Sequence, residues 1–416
     1  ASYNHMIVFR PRALFNARRT RHHCAGSDEN IGSEDRNITR HLMGLDNELS
    51  GTLVIALEQA VSAPYCGLLL ADAGARVIKV ERPEGDFARG YDAGAAGQSA
   101  IFAWLNRGKE SICLNLKCND DMQVLRNILR HADIFVANLA PGALDRMGLT
   151  GALLRTDNPG LITCTISGYG DTGAAVTKKA YDFLVQAESG VCAVTGTQDA
   201  PARVGVSLTD LSTGLTAFSA ILRALLQRAR TGKGIDLKVS MFDVMADWMN
   251  MPLLAHRYMG GAPGRTGLKH SFIAPYGAFQ CRDGGQILIS VQSNREFFSL
   301  CTQVLGRPEL PQEPKFKDNP DRYANRDALD IIVAEVFNRE DTPSVLAKLD
   351  AAKIANARLN SVADLSQHPF LRTSQAWIGD TEIDLAALPV RTDGGTVQTV
   401  PDLGAHNASI RAEFAD

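Results

Sequence analysis

The chain has no apolar run of about 18 residues, the length a helix needs to cross a bilayer, so neither a transmembrane helix nor a membrane partner is expected. It has little net charge. Its 43 Lys and Arg against 46 Asp and Glu leave a formal charge of -3, which gives no reason to expect nucleic acid as a partner. An anionic ligand would need a local basic cluster. The eight cysteines (24, 66, 113, 118, 164, 192, 281, 301) are scattered, with no CxxC pair at metal-ligand spacing, and most lie in apolar surroundings such as Cys164 in LITCTIS. Buried thiols in a reducing compartment are the expectation, rather than a disulfide framework or a metal site. Internal repeats and low-complexity tracts are missing. What remains is a chain of 416 residues, 45% apolar and 21% charged, suited to an ordinary large core. That length suits about two or three domains.

The first residues read differently from the rest. Residues 1–5 look like an added leader ahead of a natural start at Met6. From Met6 to Arg21 there are arginines at 10, 12, 18, 19 and 21, no acid, and interspersed Phe9, Leu14 and Phe15. That composition suits a mitochondrial presequence. A basic arm packed on the protein, in a cytoplasmic enzyme, is the alternative. Residues 22–50 read as polar linker.

The most informative stretch is LVIALEQAVSAPYCGLLLADAGARVIKVER, Leu53 to Arg82. It reads as a strand (Leu53–Leu57), a break at Ser62-Ala63-Pro64, a helix (Tyr65–Ala73) and a second strand (Val77–Val80), a βαβ unit with a polar tip. Further strands are expected at Ser111–Leu116, Ile134–Ala137, Leu161–Ser167 and Ile235–Ser240. Helices are expected at Asp120–His131, Tyr181–Ser189, Asp210–Arg228 and Asp243–Tyr258. This alternation predicts an α/β domain with a mostly parallel, Rossmann-like sheet, whose ligands lie beyond the carboxyl ends of the strands. A smaller strand–helix region restarts over 286–350. The domain reading is a basic arm or presequence with linker over 1–50, a large α/β domain over 51–240, a linker helix and small domain over 241–350, and a return segment over 351–416 that completes the large domain.

Four segments carry candidate chemistry. Asp210 opens a helix whose Leu211, Leu215, Phe218, Ile221, Leu222 and Leu225 share an apolar face. By position alone an N-cap is the simpler reading, since Asp is among the best capping residues; a carboxylate against apolar walls could instead attack a thioester carbonyl. Arg82, Arg146, Lys178 and Lys179 are cations able to hold phosphates, though each alone reads as a solvated surface charge. Gly168-x-Gly170-x-x-Gly173 formally matches a dinucleotide fingerprint, but alone it is weak, and nicotinamide is not expected. Arg265, Lys269 and His270 lie on a loop that is either solvated or suited to capturing a carboxylate.

Several of these segments, taken in order, resemble the class III CoA-transferases, the family of formyl-CoA and carnitine-CoA transferases and of α-methylacyl-CoA racemase. Asp210 and Gly214 match the family's Asp-x-x-x-Gly. Asn106-Arg107-Gly108-Lys109-Glu110-Ser111 with Leu114-Asn115-Leu116-Lys117, DIFVANLAPG from Asp133 followed by Asp145-Arg146-Met147-Gly148, Ile166-Ser167-Gly168-Tyr169-Gly170, Ala180-Tyr181-Asp182, Thr231-Gly232-Lys233-Gly234 and Leu403-Gly404-Ala405-His406 are similar to its other blocks. The resemblance spans about residues 51 to 410. It implies Asp210 as the nucleophile and coenzyme A, as acyl-CoA, held by Ala60, Ser62, Arg82, Leu114, Asn138, Leu139, Arg146 and Lys179, without metal. It also implies an interlocked, ring-like homodimer.

Two departures refine the expectation. Val61 stands where the formyl-CoA branch carries glutamine, which argues against formyl or oxalyl chemistry. Tyr181 stands where the racemase branch carries histidine; proton abstraction beside a thioester wants a base near neutral pH, so transfer is favoured over racemisation. Tyr181, Arg265, Lys269 and His270 are the expected contacts of the acid. The runs Leu57–Pro64, Gly85–Asp92 and Leu268–Phe279 resemble the branch that handles itaconate and related dicarboxylates, with succinyl-CoA as donor and mesaconate or citramalate as rival acceptors.

Overall fold

The computed structural model describes residues 47–390 and 398–415. The basic segment 6–21 lies outside them. A six-stranded, wholly parallel sheet is built from β1 (Leu53–Leu57), β2 (Arg76–Glu81), β3 (Glu110–Cys113), β4 (Ile134–Ala137), β5 (Ile162–Ser167) and β6 (Asp236–Ser240), in the order β3-β2-β1-β4-β5-β6. The chain first adds strands on one side of β1, then crosses to the other. The turns after β1 and β4 therefore flank the switch point, where open parallel sheets place their ligands.

Both faces of the sheet are covered at its centre, which explains the near-continuous apolar runs of β1 and β4. Val54 and Ala56 of β1 point into a core with Ala63, Cys66 and Leu70 of α1 (Ser62–Asp72). Ile55 and Leu57 point oppositely, against Leu125, Ile128 and Leu129 of α2 (Asn119–His131). Successive residues of a strand serve opposite faces, so β1 can have no polar alternation. The first core continues through α3 (Asp182–Glu188), the long α4 (Leu208–Thr231) and α5 (Met241–Trp248).

Three expectations need correction. Ser62-Ala63-Pro64 is no break; it is the first turn of α1, where proline's missing N–H costs nothing. The predicted Asp243–Tyr258 helix is two helices, α5 and α6 (Asn250–Tyr258), divided at Met249. Pro252 lacks an N–H and its ring would clash with the Trp248 carbonyl in a continuous helix. The smaller region begins earlier and ends later than 286–350. Its antiparallel sheet joins β7 (Tyr276–Gln280), β8 (Gln286–Ser290) and β9 (Ala355–Arg358), over a core that includes Leu329, Val333 and Phe337 of α7 (Arg326–Phe337) and Val345 and Leu349 of α8 (Thr342–Ala351). β9 is mostly exposed and reads ANAR, with no apolar period to announce it.

A third sheet holds β10 (Thr373–Ile378), β11 (Thr381–Ala386) and β12 (Gln398–Thr399). The chain then returns to the outer edge of β3, where α9 (Asn407–Glu413) packs. The Ser111 N–H donates to His406 Nδ1 (3.1 Å), the His406 N–H to the Ser111 carbonyl (3.0 Å), and the Cys113 N–H to Asn407 Oδ1 (2.7 Å).

Candidate active site

Asp210 is not the cap of its helix. Ser207 occupies the N-cap position, and the capping acceptor comes from α3: Asp182 Oδ1 receives the N–H groups of Thr209 (2.7 Å) and Asp210 (3.2 Å). Gln186 donates to Asp182 Oδ2 at 2.8 Å and holds the carboxylate in place. The Asp210 carboxyl is thereby free of the orphan donors of the helix start. Burial pushes it up to about 7, the neighbouring Asp182 charge pushes the same way, and a hydrogen bond from the Ser62 hydroxyl opposes both. A helix N-terminus ordinarily favours a carboxylate; desolvation and a like charge outweigh that here.

Gly214 explains how Ser62 comes so close. One turn beyond Asp210, a side chain at this position would place its Cβ 2.5 Å from the Ser62 carbonyl oxygen and 3.1 Å from Tyr65 Cβ. Only glycine lets the start of α1 rest on α4. The spacing Asp-x-x-x-Gly is thus a packing rule that aligns a carboxyl with the turn after β1.

That turn is held from both sides. Asn138, after β4, accepts from the Gln59 N–H (2.9 Å), donates to the Gln59 carbonyl (2.9 Å) and reaches Ser62 Oγ at 3.4 Å. Ala60 has a φ of 62°, in the left-handed region rare for residues with a Cβ. Its N–H donates to Asp86 Oδ1 at 3.1 Å. Ala60, Ser62 and Asn138 therefore meet at the switch point beside Asp210, with the Asn138 amide engaged in holding the loop.

The remaining coenzyme candidates divide. Arg82, at the carboxyl end of β2, is largely exposed, its Nε on the Gly85 carbonyl at 2.8 Å. Arg146, on the short helix Ala143–Met147 after β4, and Lys179, on the loop after β5, are exposed and have no ion-pair partner among the described residues. These cations follow the carboxyl ends of their strands, on the edge of the sheet that carries the β1 turn. Lys178 is paired with Glu188 at 2.5 Å and lies over the Tyr169 ring at 4.4 Å. The Leu114 side chain is 1% exposed, inside the core beneath α2, and its N–H is taken by the Glu81 carbonyl. Leu139 is half-buried against the same core. The turn Gly168–Gly173 leads only into a short 3-10 stretch, Gly173–Thr177, and not into a helix able to seat a pyrophosphate.

Tyr181 precedes Asp182 and is 66% exposed. Facing it is a residue the motifs did not single out. Burial raises the Tyr91 phenol, as do the nearby Asp86, Asp210 and Tyr181. The run Gly85–Asp92 contained it, but nothing in that run says it folds toward α4.

The basic loop does not gather at Asp210. The Arg265 guanidinium donates to the carbonyls of Thr197 (2.8 Å), Gln198 (2.9 Å) and Ala193 (3.4 Å). Lys269 is paired with Asp330 of α7 at 2.7 Å. His270 stacks on Tyr276 with ring centres 5.0 Å apart, and its Nδ1 accepts from the Phe272 N–H. Each of the three therefore has partners within its own chain. Among the described residues no cluster of His, Cys, Asp and Glu is arranged to hold a metal ion, and no helix is long and apolar enough to cross a membrane.

Known proteins share this architecture and much of this sequence. The family profile described as CoA-transferase family III matches residues 49–407. An acetyl-CoA:oxalate CoA-transferase of Acetobacter aceti is 37% identical over 372 residues, covering 88% of this chain and 95% of that protein. A succinyl-CoA:glutarate CoA-transferase of Mus musculus is 35% identical over 322 residues, covering 76% and 73%. The crystal structure of a CAIB/BAIF family protein from Brucella suis has a TM-score of 0.77 at 32% identity, covering 89% of this chain and all of that one. With a profile match over most of its length and relatives this similar, the chain belongs to CoA-transferase family III and is an enzyme of that class.

Proposed function

We propose that the enzyme moves CoA from succinyl-CoA to a small dicarboxylic acid, itaconate first among the candidates, with Asp210 as the temporary carrier. The Asp210 carboxylate attacks the donor thioester carbonyl, forming a mixed anhydride and releasing CoA thiolate. The thiolate attacks the aspartyl carbonyl of that anhydride; the donor acid leaves and an aspartyl-CoA thioester remains. The acceptor carboxylate attacks this thioester, giving a second anhydride and again a thiolate. Attack of the thiolate on the acyl carbonyl then yields the new acyl-CoA and regenerates Asp210. Arg82, Arg146 and Lys179 are the proposed phosphate contacts. Keeping CoA bound throughout keeps its thiolate at high effective concentration.

The observation that carries this reading is the setting of Asp210. It is a half-buried carboxyl, released from capping by Asp182 and hydrogen-bonded by Ser62, beside the switch-point turn. Desolvation makes its carboxylate a more reactive nucleophile than one in water.

The dicarboxylate assignment draws on the relatives named for oxalate and glutarate and on the loop resemblance. With succinyl-CoA as donor, a panel of itaconate, mesaconate, citramalate, glutarate, oxalate and monocarboxylates, read by mass detection of the acyl-CoA products, tests it. Itaconyl-CoA as the fastest product supports the assignment. Exclusive turnover of monocarboxylates overturns the dicarboxylate assignment, and exclusive turnover of oxalate overturns itaconate as the acceptor. Hydroxylamine trapping of the intermediate, followed by peptide mapping, tests the carrier: the modified residue is expected to be Asp210, and turnover without modification there overturns the mechanism. Succinyl-CoA as donor fits the mitochondrial address proposed for Met6–Arg21, which fusion of that segment to a fluorescent protein checks.

A further inference from the structure

Beneath the site lies a buried ion network that the transfer chemistry does not use. Lys79 of β2 and Lys109, just before β3, have fully buried side chains, as do Glu58 and Asp86. Lys79 Nζ lies 2.9 Å from Asp86 Oδ2 and 3.3 Å from Glu58 Oε1. Lys109 Nζ lies 2.5 Å from the same Glu58 oxygen and also donates to the Pro64 carbonyl of α1 at 2.9 Å. Glu58 Oε2 has no hydrogen-bond partner. α1 sits directly on this network: a Cβ at Gly67 would come 2.9 Å from both Glu58 Oε2 and Lys109 Nζ. Two ammonium groups and two carboxylates have therefore been removed from water under the one turn that delivers Ser62. Buried pairs of this kind cost desolvation and are often no more stabilising than a well-packed apolar substitute. Stability alone does not account for them.

One bond ties the network to the left-handed residue of the turn. Asp86 Oδ1 accepts from the Ala88 N–H (3.0 Å) and from the N–H of Ala60, the left-handed residue. Burial pushes the Asp86 carboxyl up, but the Lys79 ammonium and the Ala88 and Ala60 N–H groups together outweigh burial and hold it below the usual carboxylate range. An alanine at φ of 62° is strained and persists only where its surroundings over-determine it. Asn138 fixes Gln59 on one side of that residue, and α1 begins at Ser62 on the other.

We propose that Asp86, fixed by Lys79, is a positioning residue for transfer: it holds Ala60 in the left-handed conformation that brings the Ser62 hydroxyl to Asp210. The inference rests on Asp210 as the nucleophile. Its test is a matched pair of variants, Asp86→Asn/Lys79→Met and Asp86→Ala/Lys79→Met. Both lack the two charges, and only the first keeps an oxygen for the Ala60 N–H. Activity is expressed as kcat per Asp210 that can be trapped as an adduct, so misfolded protein is not counted. The Ala version is expected to show kcat about a hundredfold below the Asn version, the scale of a misplacement of about 1 Å at a reacting centre, with little change in KM for the acyl-CoA. A purely structural role would lower the unfolding midpoint of both and leave their kcat equal; that result overturns the proposal.

Ala60→Val, with Asp86 and Lys79 intact, provides a second measurement. A β-branched residue resists positive φ, so kcat is expected to fall while the protein remains folded. A wild-type kcat in Ala60→Val overturns the proposal even if the Ala/Met double variant is insoluble. Absence of any Asp210 adduct in the wild-type enzyme during turnover is a different result: it removes the carrier mechanism itself.

Discussion

The proposed transfer turns on how one carboxyl is kept out of water while remaining ionisable. Asp210 is raised to about 7, so kcat/KM is expected to climb as pH passes through about 7 and to level off above it. Ser62→Ala removes the hydrogen bond that opposes the rise and should move this limb to higher pH. Asp182→Asn keeps an acceptor for the helix start but removes the like charge, and should move the limb to lower pH. A pH series of kcat/KM on the three proteins checks both directions. The same group links pH to stability. Its folded value lies above the unfolded value of about 3.9, so its ionisation opposes folding; the penalty is absent below pH about 4 and complete above pH about 7. Asp210→Asn is therefore expected to abolish transfer and to raise the urea midpoint relative to wild type at pH about 8, but not at pH about 4. Asp210 was legible in the sequence because its partner in packing, Gly214, lies one helical turn away. Asp182 was visible only as a neighbour of Tyr181; its capping of α4 crosses 28 residues and belongs to the tertiary fold.

Elements meet at the site through the contact of α1 with α4. Gly214→Ala would place a methyl 2.5 Å from the Ser62 carbonyl. Overpacking of this kind costs about 1–3 kcal/mol, and the strain can be relieved only by moving α1. The variant should therefore melt lower and also lose kcat, because the displaced element carries Ser62; melting and steady-state kinetics check the pair. The inner strands β1 and β4 were readable because residues buried on both faces leave continuous apolar runs. β9, β10 and β11 were not, since they are partly exposed and carry mixed residues. The partners of the basic loop were hidden for a related reason. Arg265 looks like a free cation in sequence, yet its donors close on carbonyls 67 and 68 residues earlier, a partnership no local pattern encodes.

In the molecule as a whole, the last described segment braces the first domain. The Arg89 guanidinium, paired with Glu81 at 2.7 Å, also reaches the Pro401 carbonyl at 3.2 Å, and the Gly404 N–H donates to Ser111 Oγ at 3.0 Å. Deleting residues from 398 onward should lower the melting temperature and promote association, since β3 would become an uncovered edge; melting and size-exclusion chromatography check this. The bond from the Ser111 N–H to His406 joins residues 295 apart. During synthesis, then, the outer edge of β3 stays an open template until the residues around His406, 295 positions later, have been made. A chain delayed between these two segments leaves that edge open to pairing with another strand, so slow elongation between them is a hazard set by the topology.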